Sequence, residues 1–157
     1  MRHGKAAANA PEGDLARPLT ERGRSDAHAV GDALWKAGAR PARVLVSPAA
    51  RTLETLEALP DALIRGARIE RVGELYNGSA ETILDAVERE AAGSDAAERD
   101  AGGGDVLVIG HNPGVSAALM NLAPDAARAM RPGDAAIVAR DTGETHYIAA
   151  AAITGRA

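Results

Sequence analysis

The sequence contains no cysteine and no phenylalanine, and its 157 residues include one tryptophan and two tyrosines. Without cysteine the protein forms no disulfide, uses no thiolate nucleophile and binds no zinc through sulfur, which fits a reducing compartment. With so few rings, the core must consist mainly of Ala, Val, Leu and Ile, with Trp35 as the one large ring. We therefore expect a cytoplasmic protein with a core of small aliphatic side chains.

Long apolar runs and an excess of positive charge are also missing. No run approaches the roughly 20 apolar residues of a membrane helix, and the N-terminus lacks the apolar stretch of a signal peptide. The formal net charge is -4, so there is no basic field with which to bind nucleic acid. The length suits a single domain over residues 1–157. We expect neither membrane nor nucleic acid as partner, which leaves an enzyme or a binding domain with one site.

Short apolar stretches predict the strands of the domain. They are RVLVS at 43–47, RIERV at 68–72, DVLVIGH at 105–111, AAIVA at 135–139 and HYIAA at 146–150. Apolar residues at helical spacing lie between them, with Thr20 and Ser79 as N-terminal caps of two helices. This alternation predicts an α/β domain with a mostly parallel sheet. The polar, Ala- and Gly-rich segment at about 91–104 predicts a mobile surface loop.

Two of these strands end at residues that can do chemistry. Arg51 lies in the first turn after the first strand, and His111 directly follows the strand VLVIG. Ligands of open α/β sheets bind beyond the carboxyl ends of the strands, so both side chains are expected in one crevice. If Arg2 and His3 also stand at a strand end, the crevice holds two arginines and two histidines, and Gly4 lets the backbone approach a ligand closely.

Such a crevice suits a tetrahedral phosphoryl dianion. Guanidinium groups donate paired hydrogen bonds to phosphoryl oxygens, while one imidazole can attack phosphorus and the other can donate to a non-bridging oxygen. The attack forms a phosphohistidine intermediate that water opens, and it requires no metal or other cofactor. A metal site built from the four histidines is the alternative, but it lacks a His-x-x-x-His pair, and His28 and His146 fall on a predicted helix and a late strand.

Four motifs in order, RHGKA, RPLTERG, VLVSPAARTLET and VLVIGHNPGVS, resemble the histidine phosphatase superfamily, and RPLTERG in a short chain is similar to its SixA-like phosphohistidine phosphatase branch. The resemblance extends from Arg2 to about Leu122. It implies a three-layer α/β/α sandwich and a phosphatase with His3 as the nucleophile. It also implies phosphate clamps at Arg2 and Arg51, with His111 as the second histidine of the pocket.

The resemblance points to three further residues. Arg17 in RPLT matches an arginine near the phosphate in this branch, and Asn112 follows the second histidine as in many relatives. Glu74 lies in the region where relatives carry a general acid, so it is the candidate acid here, against the alternative of a solvated loop carboxylate. A phosphohistidine substrate needs such an acid less than an alcohol ester does, because the leaving imidazole can depart already protonated.

The interval between Arg51 and His111 leaves little room for a long lid, so the pocket should be shallow and open. An open pocket favours phosphohistidine on a protein as the substrate over a small metabolite. Two alternatives remain: a phosphatase that acts on small phosphomonoesters, and a domain that binds phosphorylated partners without turnover.

The first residues depart from the pattern of the family. In relatives the RHG motif ends a central first strand that several apolar residues precede, whereas here only Met1 precedes it. We therefore expect a truncated first strand and a true start roughly five to ten residues upstream of this internal methionine. The sheet would then contain an unfilled central slot.

Overall fold

The computed structural model describes residues 1–92, 104–126, 128–139 and 141–155, in which helices and strands alternate. The helices are α1 (Glu21–Lys36), α2 (Ala50–Ala58), α3 (Asp61–Ile64), α4 (Ala80–Ala92), α5 (Gly114–Leu122) and α6 (Ala150–Thr154). The strands are β1 (Pro41–Val46), β2 (Arg68–Arg71), β3 (Asp105–Ile109), β4 (Ala135–Val138) and β5 (Thr145–Ile148). Within these ranges, no helix combines the length and the apolar character needed to cross a membrane.

The sheet is parallel where the sequence predicts its strongest strands. The strands β2, β1 and β3 form one parallel sheet in that order, and Val46 at the end of β1 pairs with Ile109 at the end of β3. The last two strands, β4 and β5, form a separate antiparallel pair. Because β1 and β3 end side by side, the residues that follow them emerge at the same edge.

Helices cover both faces of the parallel sheet. Val44 and Val46 of β1 belong to a core cluster with buried residues of α1, α2, α3 and α6, whereas Leu45 packs in a second cluster with residues of α4 and α5. This division follows from the strand itself, since successive side chains point to opposite faces. The expected three-layer α/β/α architecture is confirmed.

The N-terminal residues lie between β3 and β4. Met1 N donates to Val108 O at 2.8 Å, and Arg2 N donates to Asp134 O at 2.9 Å, so the segment bonds to both sides. Burial lowers the pKa of the Met1 ammonium group to about 5. A cavity of about 460 Å³ is lined by Met1 and by residues of both strands, and its lining is largely apolar. The truncated first strand stays a prediction from the sequence.

Local sequence signals determine where two helices begin. The Thr20 hydroxyl accepts a hydrogen bond from Gly23 N at 3.0 Å and caps α1. Ser79 stands directly before α4 and accepts from Thr82 N at 3.2 Å. Each hydroxyl satisfies a backbone donor that has no partner within the first turn of its helix. Both caps agree with the sequence prediction.

Three details differ from the expectations. Trp35 is 36% exposed, and its ring centroid lies 3.5 Å from the guanidinium carbon of Arg40. Trp35 therefore lies at the surface and does not belong to the aliphatic core. The short helices α3 and α6 are not predicted, because four or five residues are too few to establish a helical period. Ala91 and Ala92 lie in the predicted loop but belong to α4, and residues 93–103 of that loop lie outside the described residues.

Candidate active site

The RHG motif lies at the carboxyl end of β3. Arg2 forms an isolated parallel bridge with Gly110, and His3 N donates to Gly110 O at 3.1 Å. On the other side, Gly133 N donates to His3 O at 2.9 Å. The motif therefore stands next to His111, although more than a hundred residues separate the two histidines in the sequence.

The structure brings the four predicted site residues together. The ring centroids of His3 and His111 are 5.2 Å apart. Arg51, in the first turn of α2, is 3% exposed, and its charge and that of Arg2 act on both imidazoles. Two imidazoles and two guanidinium groups at one sheet edge can surround a tetrahedral anion from several directions.

The hydrogen bonding of His3 determines its tautomer. Its Nδ1 lies 2.8 Å from Gly4 O. Because a carbonyl oxygen only accepts, Nδ1 carries the proton and donates it, which leaves Nε2 as the unprotonated nitrogen. An unprotonated imidazole nitrogen with a fixed partner on the other side of the ring is a competent nucleophile.

His111 is fixed through its other ring nitrogen. Its Nε2 lies 2.7 Å from the hydroxyl of Ser47, the buried residue that follows β1. Its Nδ1 is buried and has no hydrogen-bond partner among the described residues. A buried ring nitrogen without a partner is costly unless a ligand or water satisfies it. Nδ1 is therefore the nitrogen of His111 that still lacks a partner in the described part of the chain.

The surroundings keep both imidazoles neutral near pH 7. Burial lowers the pKa of His3 to about 4, and the charges of the nearby arginines add to this shift, while the hydrogen bond to Gly4 O opposes it. Burial and the charge of Arg51 lower the pKa of His111 to about 3. A neutral His3 presents a lone pair to an electrophile across the whole physiological range.

The arginines retain unused donors. The Nε atoms of Arg2 and Arg51 are both buried, and neither has a hydrogen-bond partner within the described parts of the chain. Arg2 Nη1 donates to Met130 O at 2.9 Å, which fixes the side chain, and burial lowers its pKa. A guanidinium group that is already fixed and keeps a free donor, as Arg2 does, binds an anion at little cost in reorganisation.

Gly4 allows close packing beside the nucleophile. Its N–H donates to the hydroxyl of Thr55 at 3.0 Å, and the same hydroxyl donates to Arg51 O at 2.6 Å. A Cβ at position 4 would lie 2.6 Å from Gly23 O, on the backbone of α1. Thr55 thus links the RHG motif to the helix that carries Arg51.

Of the three further candidates, Arg17 and Asn112 lie beside this centre, whereas Glu74 contacts Arg89. Arg17 donates through Nη1 to Ala7 O at 2.8 Å, and its charge contributes to the lowered pKa of His3. Asn112 donates to Met130 O at 2.9 Å, and the same carbonyl oxygen accepts a hydrogen bond from Arg2 Nη1. Asn112 thus supports the loop next to the site. Glu74 lies in a short 3₁₀ turn and pairs with Arg89 of α4.

Asp14 and Tyr76 were not predicted, yet both contact the site. Arg51 Nη2 donates to Asp14 Oδ2 at 3.0 Å, and Tyr76 donates to the same oxygen at 2.6 Å. The Tyr76 ring stands edge-on to His111 at 5.6 Å between centroids. Hydrogen bonds from Tyr76, then from Arg51 and Arg17, hold the pKa of Asp14 well below its usual range. No spacing in the sequence links these two residues to the motifs.

Ser47 and Thr55 were also missed, but the sequence carries a signal for each. Ser47 is the last residue of the stretch RVLVS, so the rule that places Arg51 at the strand end applies to it as well. Thr55 stands four residues after Arg51, one turn further along the same face of α2. Both are buried hydroxyl groups, which need polar partners.

Comparisons with known proteins identify the family of this chain. Residues 1–75 match the model of the histidine phosphatase superfamily, branch 1. The phosphohistidine phosphatase SixA of Escherichia coli K12 is 34% identical over 128 residues, which cover 79% of this chain and 72% of that relative. The chain therefore belongs to the histidine phosphatase superfamily, and it is a hydrolase of the phosphatase class.

Solved structures place it near one branch of that superfamily. The structure of the protein histidine phosphatase SixA complexed with tungstate is 28% identical, has a TM-score of 0.73, and is matched over 94% of this chain and 91% of that one. A mycobacterial glucosyl-3-phosphoglycerate phosphatase complexed with inorganic phosphate is 16% identical, with a TM-score of 0.61 and coverage of 95% of each chain. The second likeness concerns the fold alone, whereas the first makes this chain similar to SixA in sequence as well.

Proposed function

We propose that the protein removes the phosphoryl group from phosphohistidine on a partner protein, with His3 as the nucleophile. The observation that carries this proposal is the tautomer of His3, whose Nδ1 donates to Gly4 O at 2.8 Å and whose Nε2 is free of a proton. The lowered pKa of His3, about 4, keeps that nitrogen unprotonated at neutral pH. The similarity to SixA supports phosphohistidine as the substrate.

The first half-reaction transfers the phosphoryl group to His3. Nε2 attacks phosphorus, and the bond between phosphorus and the substrate imidazole breaks. The substrate ring departs as neutral imidazole when its second nitrogen is protonated, so no strong general acid is required. Arg2 and Arg51 stabilise the charge on the equatorial oxygens, and His111 donates to one of them.

The second half-reaction frees the enzyme. Water attacks the phosphoryl group on His3, the bond to Nε2 breaks, and the product leaves as dihydrogen phosphate, which carries both protons of the attacking water. Nδ1 keeps its proton throughout and donates it in a hydrogen bond to Gly4 O. The His3 ring is therefore released from phosphorus as neutral imidazole rather than as an imidazolate. The hydrogen bond that fixes the nucleophile therefore also makes it a good leaving group.

Three elements of the proposal rest on the sequence alone. Glu74 as general acid stays a prediction, and its pairing with Arg89 suits a substrate that needs no acid. A cytoplasmic location and a single domain over residues 1–157 also stay predictions. Neither a metal nor another cofactor takes part in the steps above.

The test is the trapping of the intermediate. A protein carrying radiolabelled phosphohistidine is mixed with the enzyme, and acid-labile, base-stable label is measured on the enzyme during turnover. We expect label on the unchanged chain and on His146→Ala, whose histidine is exposed on β5. We expect none on His3→Ala, together with a loss of activity of about a thousandfold or more.

Different results distinguish the alternatives. Normal hydrolysis by His3→Ala contradicts the proposed nucleophile. Faster turnover of sugar phosphates or nucleotides than of the phosphohistidine protein favours the phosphomonoesterase, and phosphate binding without turnover favours the recognition domain.

A further inference from the structure

Asp14 occupies both terminal nitrogens of Arg51. Nη1 donates to the backbone oxygen of Asp14 at 2.7 Å, and Nη2 donates to its Oδ2 at 3.0 Å. The fork of a guanidinium group is the feature that binds two oxygens of a phosphoryl group. In this structure the fork is taken by two oxygens of the protein itself.

Two more donors converge on the same carboxylate. Tyr76 donates to Oδ2 at 2.6 Å, and Arg17 Nε donates to Oδ1 at 2.8 Å. Three oxygens of Asp14 thus receive hydrogen bonds from two guanidinium groups and one phenol. These donors suit a compact oxyanion, and Asp14 supplies the negative charge in place of one.

We propose that Asp14 is an internal competitor of the phosphoryl group for Arg51, and that it determines how tightly the site holds phosphate. The inference rests on the proposed function in one respect, namely that Arg51 binds the phosphoryl oxygens. An incoming dianion takes over both arms of the Arg51 fork only when the carboxylate and the backbone oxygen of Asp14 move away together. Part of the binding free energy of phosphate is then used to release Asp14.

The surroundings of Asp14 allow this movement. Its side chain is 50% exposed, and it begins a 3₁₀ turn, Asp14–Ala16, that contains no buried residue. Displacement therefore disturbs no core packing. Because hydrogen bonds from Tyr76, Arg51 and Arg17 hold its pKa far below the usual range, the carboxylate stays charged in the neutral pH range. Its repulsion of a bound dianion persists throughout that range.

The experiment measures anion binding in the absence of turnover. Inorganic phosphate and tungstate are titrated calorimetrically into the unchanged chain, Asp14→Asn, Asp14→Ala and Glu12→Gln. The last variant is the matched control, since it removes one exposed carboxylate from the same segment. We expect both Asp14 variants to bind each anion about tenfold more tightly, which corresponds to ~1.4 kcal/mol, and Glu12→Gln to bind as the unchanged chain does.

The direction of the change separates competition from support. If Asp14 merely held Arg51 in position, both Asp14 variants would bind phosphate more weakly, and such a result overturns the inference. Equal affinity in all four proteins overturns it as well. Tighter binding by both Asp14 variants upholds it even when none of the proteins hydrolyses phosphohistidine, in which case the proposed function alone fails. Circular dichroism of each variant identifies any loss of fold before binding is compared.

Discussion

A single hydroxyl group connects the proposed nucleophile to the helix of the phosphate clamp. Thr55 is fully buried, accepts the hydrogen bond of Gly4 N at 3.0 Å, and donates to Arg51 O at 2.6 Å. Gly4 in turn fixes His3 through its carbonyl oxygen. Removal of this hydroxyl tests whether the position of His3 depends on α2.

Two substitutions separate the hydroxyl from the shape of the side chain. Thr55→Val keeps the shape but leaves the buried Gly4 N–H without its acceptor, a loss of about 1–3 kcal/mol in the free energy of unfolding. Thr55→Ser keeps the hydroxyl and removes one methyl group, at about 1 kcal/mol. Since Gly4 also carries the carbonyl that fixes His3, we expect Thr55→Val to lower kcat/KM about tenfold further than Thr55→Ser does.

Urea denaturation and steady-state kinetics on a phosphohistidine protein measure both effects. The expected order of stability is the unchanged chain, then Thr55→Ser, then Thr55→Val. A Thr55→Val protein that matches the unchanged chain in stability and in kcat/KM would refute the reasoning, because the Gly4 N–H would then need no acceptor.

Two further predictions follow from the same site. Gly4→Ala should destabilise the fold by about 2 kcal/mol or more and abolish activity, because the new Cβ would lie 2.6 Å from Gly23 O. The control is Gly73→Ala, whose Cβ meets nothing within 4 Å and which should leave the melting temperature and the activity nearly unchanged. Stability should fall as the pH drops from 6.5 toward 4, because His3 titrates at about 4 in the folded chain and near 6.5 when unfolded, so that only the unfolded state gains the proton. Urea denaturation should show that His3→Gln removes about 2 kcal/mol of the stability change between pH 7 and pH 5, while the exposed control His146→Gln does not. Loss of the same amount in both variants would contradict the lowered pKa of His3.

The sequence predicts those parts of the site that depend on local pattern. Short apolar runs identify β1 and β3, and in parallel strands the residues after each run meet at one edge. That rule is sufficient to place Arg51 and His111 in the same crevice. Hydroxyl caps at Thr20 and Ser79 are likewise local, since each bonds a backbone N–H within three residues.

Tertiary structure alone decides the rest, because it depends on contacts between distant segments. The hydrogen bond between Tyr76 and Asp14 joins residues 62 positions apart, and the bond between Gly4 and Thr55 spans 51. No periodicity encodes such pairs. Burial also shifts the pKa of His3, and burial follows from how the layers pack on the sheet. The sequence by itself determined that Arg51 and His111 reach the carboxyl edge of the sheet, because the residues after parallel strands meet there. The tertiary structure decided which side chains touch at this edge, that burial keeps both imidazoles neutral, and that Asp14 occupies the fork of Arg51.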